Sequence, residues 1–132
     1  MKLNGIILVI EDNQKILFNL KLLLKYSGYE PITAMNGVEA LEILTKLDKA
    51  PDLILCDIIM PKMNGYEFYQ KISDNPKFSF IPFIFLTAKT DPDDVQHAKN
   101  LGVKDFIIKP FKKEDLLAFI TEKIQRSKKR KL

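Results

Sequence analysis

The chain has a single histidine, His97, and a single cysteine, Cys56, among 132 residues. Zinc sites, which draw on several such ligands, and every histidine-dependent triad are thereby close to excluded. No internal disulfide can form. No apolar run approaches the roughly 18 residues needed to span a bilayer. The N-terminus lacks the basic, apolar and small-residue succession of a signal peptide, which points to a cytoplasmic protein with no membrane partner. The length leaves room for one domain and little more. Hydrophobic residues at 46% and charged residues at 29% make the balance of a globular protein, not of a disordered or fibrous one.

The formal charge of +4 invites a nucleic-acid reading, but its distribution argues otherwise. Arg126, Lys128, Lys129, Arg130 and Lys131 put five positive charges into the last seven residues, which hold no acid. The rest of the chain has 16 basic against 17 acidic side chains. The body is therefore near neutral, and direct nucleic-acid binding by it is not expected. The basic segment reads as a solvated helix end whose charges suit the helix dipole, with a linker or a contact to an acidic partner as alternatives.

Short apolar runs recur at Ile6–Ile10, Leu53–Cys56, Phe83–Leu86 and Phe106–Ile108, each bounded by polar or turn residues. Such runs read as strands buried on both faces, the pattern of a parallel sheet. Tyr29–Ala34 is a weaker fifth strand, assigned to an edge because Pro31 cannot donate to a ladder. Between the strands lie helical periodicities. Ile16, Leu17, Leu20, Leu23 and Leu24 share a face that Ser27-Gly28 closes. Ala40, Leu41, Leu44 and Leu47 follow Asn36-Gly37, and Phe68, Tyr69 and Ile72 follow Asn64-Gly65. Asp91 and Pro92 open a fourth helix with Val95, Ala98 and Leu101 inward and Gly102 at its end. Leu116, Leu117, Ile120 and Ile124 mark a fifth. Alternating strands and helices imply an α/β fold with a doubly wound parallel sheet.

In such sheets the ligand site lies beyond the carboxyl ends of the strands. The residues there are Glu11 and Asp12, Asp57, Thr87 and Lys109. Three carboxylates in one crevice repel, and a divalent cation resolves the repulsion. All-oxygen ligands suit a hard ion such as magnesium, or manganese in its place. Lys109 adds a point charge for a phosphoryl oxygen and Thr87 a hydroxyl donor. An acceptor carboxylate, a metal seat, a cation and a donor make the set that phosphoryl transfer requires.

Glu11-Asp12 after an apolar strand, Asp57-Ile58-Ile59-Met60-Pro61 through Asn64-Gly65, Thr87-Ala88 and Lys109-Pro110-Phe111 together resemble a receiver domain of two-component response regulators. The resemblance covers roughly residues 5 to 125, so the chain divides into a receiver domain at 1–125 and a basic tail or linker at 126–132. It implies the flavodoxin-like strand order 2-1-3-4-5 with helices on both faces. Asp57 would be the acceptor of a phosphoryl group from the phosphohistidine of a sensor histidine kinase or phosphotransfer protein. Asp12 would bind the metal directly, Glu11 through water, and Ile59 by its backbone carbonyl. Thr87 would be the switch hydroxyl, Lys109 the partner of the phosphoryl group, and Phe106 the switch aromatic. A cis Lys109-Pro110 bond would aim the lysine into the crevice. Output would pass through the fourth helix, fifth strand and fifth helix to an effector domain or target protein. The family is a signalling acceptor, not an enzyme beyond its own phosphorylation and dephosphorylation.

Two departures from the family pattern stand out. Glu11 occupies a position more often Asp. In the family the positions held here by Ile59 and Lys89 flank the path of the hydrolytic water, and an apolar Ile59 cannot orient water, so slow hydrolysis is expected. Haloacid-type phosphatases need an aspartate where Ile59 stands. A Glu11-Asp12-Asn13-Gln14 loop repels the phosphates that flavodoxins and dinucleotide folds bind. The remaining rival is an unphosphorylated receiver-like interaction scaffold. Taken singly, Thr87 reads as a strand-end hydroxyl without function, Lys109 as a solvated surface lysine, Phe106 as core, His97 as an exposed helix residue and Cys56 as an inert buried thiol.

Overall fold

A computed structural model describes residues 4–87, 92–103 and 105–130, the side chains of 92–95 and 130 excepted. Five strands, β1 (Gly5–Ile10), β2 (Tyr29–Ala34), β3 (Leu53–Asp57), β4 (Phe83–Thr87) and β5 (Phe106–Ile108), alternate with five helices. The helices are α1 (Gln14–Tyr26), α2 (Gly37–Lys46), α3 (Gly65–Ser73), α4 (Pro92–Asn100) and α5 (Lys113–Arg130). All strands pair in parallel in the order β2-β1-β3-β4-β5. Pro31 sits on the edge strand opposite Ile7, where its missing N–H costs no ladder bond. None of the helices among the described residues is long and apolar enough to cross a membrane.

The pleat sorts the apolar runs into two cores. Leu8, Ile10, Ile54, Cys56, Phe83 and Phe85 point to the side covered by Ala40 and Leu44 of α2, Phe68 and Ile72 of α3 and Ala98 of α4. Ile7, Val9, Leu53, Leu55, Ile84 and Leu86 point to the other side, covered by Leu17, Leu20 and Leu24 of α1 and Leu116, Ile120 and Ile124 of α5. Every residue of β3 and β4 is buried, which is why these strands read as unbroken apolar runs instead of alternating ones.

Helix boundaries follow local chemistry. The side chains of Asn13, Asn36 and Asn64 accept from Ile16, Glu39 and Glu67 N–H groups at 3.0, 2.9 and 2.8 Å, opening the first three helices. Glu67 returns the bond to Asn64 N–H at 3.2 Å, completing a capping box. Gly28 at φ +90° follows the end of α1 and Gly102 at φ +101° that of α4. Val103 N–H reaches back to Ala98 O at 3.0 Å across that turn. Asp91, expected to cap α4, and the side chain of Val95 lie outside the described residues, whereas Pro92 does take the first helical position. α5 runs unbroken through Arg130, so the described part of the basic tail is helix.

Candidate functional site

The end of β1 delivers the acid pair. Glu11 N–H donates to Ala34 O at 3.0 Å, holding the exits of β1 and β2 together. Its side chain is fully buried, while Asp12 is exposed. The cap of α1 falls to Asn13, so the helix does not draw on either acid.

Asp57 is the last residue of β3 and 8% exposed. Its Oδ1 accepts from Ile58 N–H at 2.8 Å, which leaves Oδ2 toward the crevice. The chain then turns through Lys62, at φ +67°, and returns at Gly65, whose N–H donates to Ile58 O at 2.7 Å. A Cβ on Gly65 would lie 2.4 Å from the Asp57 carbonyl oxygen and 2.9 Å from Ile58 Cα. Only glycine lets α3 start this close to the acceptor strand.

Thr87 closes β4 as its last residue instead of following it, and is buried. Lys109 N–H donates to Thr87 O at 2.7 Å, extending the β4–β5 ladder by one step. The Lys109-Pro110 bond is cis. Lys109 Nζ donates to Glu11 Oε1 at 2.6 Å and to Asp57 Oδ2 at 3.3 Å. Glu11, Asp12, Asp57 and Lys109 thus meet in one crevice at the switch point between β1 and β3.

Burial pushes the Glu11 carboxyl up to about 8, the neighbouring Asp57 adds to the rise, and Lys109 opposes it. Burial works against the charge on Lys109, yet Glu11 and Asp57 outweigh it and hold its pKa above the usual lysine value. Burial also pushes the Cys56 thiol well up, with Asp57 and Glu11 adding to the effect, so this cysteine is inert.

A hard divalent cation fits these residues. One carboxylate oxygen from each of Glu11, Asp12 and Asp57 lies within 4.8 Å of the others. Glu11 Oε2 is buried without a hydrogen-bond partner among the described residues. Such an oxygen is costly unless something cationic or proton-bearing meets it, and the all-oxygen set matches magnesium chemistry.

Ile59, two residues beyond Asp57, is 60% exposed. Lys89 lies outside the described residues. Phe106 is half-buried, with its ring centroid 6.0 Å from that of Phe85. One neighbour of the site escaped the sequence reading. Tyr66, directly after Gly65, sets its ring edge-on against Phe85 at 5.5 Å and His97 at 4.5 Å. His97 is exposed as expected, but it seats α4 on the start of α3. Nothing in the local sequence marks that pairing.

The pattern described as "Response regulator receiver domain" matches residues 7–121. The chain belongs to this family. The response regulator SaeR of Staphylococcus aureus (strain USA300) is 35% identical over 123 residues, 93% of this chain and 52% of that protein. The receiver domain thus spans about half the length of the curated relatives it matches. Among solved structures, the signal receiver domain of a histidine kinase from Syntrophus aciditrophicus is 37% identical, with TM-score 0.81, covering 91% of this chain and 89% of that one. The chemotaxis protein CheY4 of Vibrio cholerae is 32% identical, with TM-score 0.83, covering 90% and 98%. The receiver domain of a Pseudomonas aeruginosa sensor histidine kinase, solved with magnesium in its active site cleft, is 26% identical, with TM-score 0.83, covering 92% and 98%.

Proposed function

We propose that this receiver domain accepts a phosphoryl group on Asp57 from the phosphohistidine of a sensor kinase or phosphotransfer protein. The observation that carries the proposal is the placement of Lys109 Nζ between Glu11 and Asp57, with a third carboxylate, Asp12, alongside and one Glu11 oxygen unpartnered among the described residues.

With Oδ1 held by Ile58 N–H, Oδ2 is the nucleophile. It attacks phosphorus in line as the P–N bond breaks, and the electron pair returns to the donor's ring nitrogen. The product is an acyl phosphate. Lys109, 3.3 Å from Oδ2, would pair with a phosphoryl oxygen, and the Thr87 hydroxyl would be a further donor. Asp12, Asp57 and the Ile59 carbonyl would hold magnesium, with Glu11 acting through water, and the ion would supply charge neutralisation on the transferred group. Manganese fits the same ligands.

The donor would dock beside Lys109. A groove of about 510 Å³ lined by Ile16, Leu20, Leu23, Pro110 and Phe111 adjoins Lys109, so an apolar partner surface seated there would present its histidine to the crevice.

Phosphorylation favours the state in which Thr87 reaches the phosphoryl group and Phe106 follows it inward, re-forming the α4–β5–α5 surface for an effector domain or target. Dephosphorylation is the chain's own hydrolysis of the acyl phosphate. Residues 1–125 are the receiver unit and 126–132 a basic tail or linker. The cytoplasm is its compartment.

Mass spectrometry after treatment with acetyl phosphate and magnesium tests this. One phosphoryl group per chain is expected for the wild type and none for Asp57→Asn or after chelation. An unchanged mass in every sample would favour the scaffold reading and sink the acceptor role.

A further inference from the structure

Helix α1 carries apolar residues on two sides. Leu17, Leu20 and Leu24 enter the core, and Ile16 and Leu23 line the groove beside Lys109. Phe18, Leu22 and Tyr26 do neither. Spaced i, i+4 and i+8, they form a single stripe, with Phe18 58% and Tyr26 84% exposed and Leu22 half-buried between them. At 3.6 residues per turn the stripe is centred roughly 110° around the axis from Ile16 and Leu23. It is therefore a separate face from the groove.

A surface helix of one buried face is polar on the other. Here the outward face carries three large apolar side chains, and every charged residue of α1 is a lysine. Lys15, Lys21 and Lys25 are exposed and flank or interrupt the stripe, and α1 has no acidic residue. None of the ion pairs among the described residues engages these lysines. Single exposed hydrophobic residues need no explanation, but an aligned aromatic-leucine-aromatic stripe rimmed by unpaired cations does.

We propose that the outer face of α1 docks an acidic amphipathic helix of a partner protein. The leucines of that helix would cover Phe18, Leu22 and Tyr26, and its flanking glutamates would meet Lys15, Lys21 and Lys25. Charge decides against a second copy of this chain, because two α1 helices packed face to face would bring six lysines together with no acid on either helix to offset them. Phe18, Leu22 and Tyr26 line no part of the groove beside Lys109. The proposal stands apart from the acceptor role of Asp57.

Fluorescence anisotropy with a labelled helical peptide tests it. The probe has leucines at i, i+3, i+4 and i+7 flanked by glutamates, beside a control with lysines in their place. The full chain is expected to bind the acidic peptide, to lose affinity as salt rises, and to ignore the basic control. The Phe18→Ser/Tyr26→Ser double variant and the Lys15→Glu/Lys21→Glu/Lys25→Glu triple variant should each weaken binding about tenfold or more. Both should keep the wild-type melting profile and phosphoryl uptake from acetyl phosphate. If the triple variant melts early, Lys→Gln at the same positions provides the charge test. Equal binding of the two peptides, or binding unaffected by both variants, would overturn the proposal. So would binding only to phosphatidylserine vesicles, or a dimer by light scattering that the Phe18 and Tyr26 changes abolish.

Discussion

Lys109 Nζ lies closer to Glu11, at 2.6 Å, than to Asp57, at 3.3 Å. The lysine that pairs with the phosphoryl group under the proposed chemistry is thus shared between the acceptor and a fully buried glutamate. Replacing it should cost more than an exposed ion pair, because the change strands Glu11 in the interior.

Lys109→Met is accordingly expected to destabilise the metal-free protein by about 1–3 kcal/mol at pH 8. The loss should be smaller at pH 5, where Glu11 takes up a proton. Urea unfolding at both pH values measures this. Equal losses would show that Glu11 carries no charge for Lys109 to meet.

Stability itself should depend on pH through Glu11. Its carboxyl rises from 4.5 to about 8 on folding, so the folded chain holds a proton that the unfolded chain releases. This contribution is complete below about 4.5 and is lost as pH rises through about 8. Metal-free protein should lose melting temperature across that window, and magnesium should restore it. Glu11→Gln should flatten the slope and blunt the response to magnesium. A wild-type slope in the Gln variant would assign the effect to another group.

Gly65→Ala places a Cβ 2.4 Å from the Asp57 carbonyl oxygen. Backbone cannot swing aside as a side chain can, so we expect a loss of about 3 kcal/mol, the upper end for overpacking, together with impaired phosphoryl uptake. Gly102→Ala is the contrast. Among the described residues its Cβ would come no nearer than 3.4 Å, to Tyr69 Oη, and the cost expected is that of the positive φ of +101°, about 1 kcal/mol. Thermal melts of the pair rank them, and an inverted order would refute the close-approach account.

The exposed, apolar Ile59 should make the acyl phosphate long-lived. Ile59→Asn gives a water a polar neighbour and is expected to shorten the lifetime by about tenfold. A lifetime of seconds in the wild type, or no change in the variant, would remove Ile59 from the control of hydrolysis.

The strands were legible because burial on both faces leaves a run with no polar interruption, as in Leu53–Cys56, and the acids stood out because each ends such a run. Asn36 and Asn64 announced their helices through capping chemistry, which acts over three residues. What sequence hid is what depends on the approach of distant segments. The nearness of Gly65 to the Asp57 carbonyl, the Tyr66–His97 ring pair and the preference of Lys109 for Glu11 each join parts of the chain that only the folded backbone brings together. The outer stripe of α1 was present in the spacing of Phe18, Leu22 and Tyr26, but the periodicity of the core face dominated that helix.

The Gly65–Ile58 bond divides the site mechanically. One wall, β3 with its acceptor, is clamped between β1 and β4 and stapled to the start of α3. The opposite wall hangs on β5, three residues long and paired on one side only. A charge added at Asp57 therefore presses against a stator and a rotor. Under the proposed chemistry the β5 half, held by one ladder, is expected to give before the doubly paired β3.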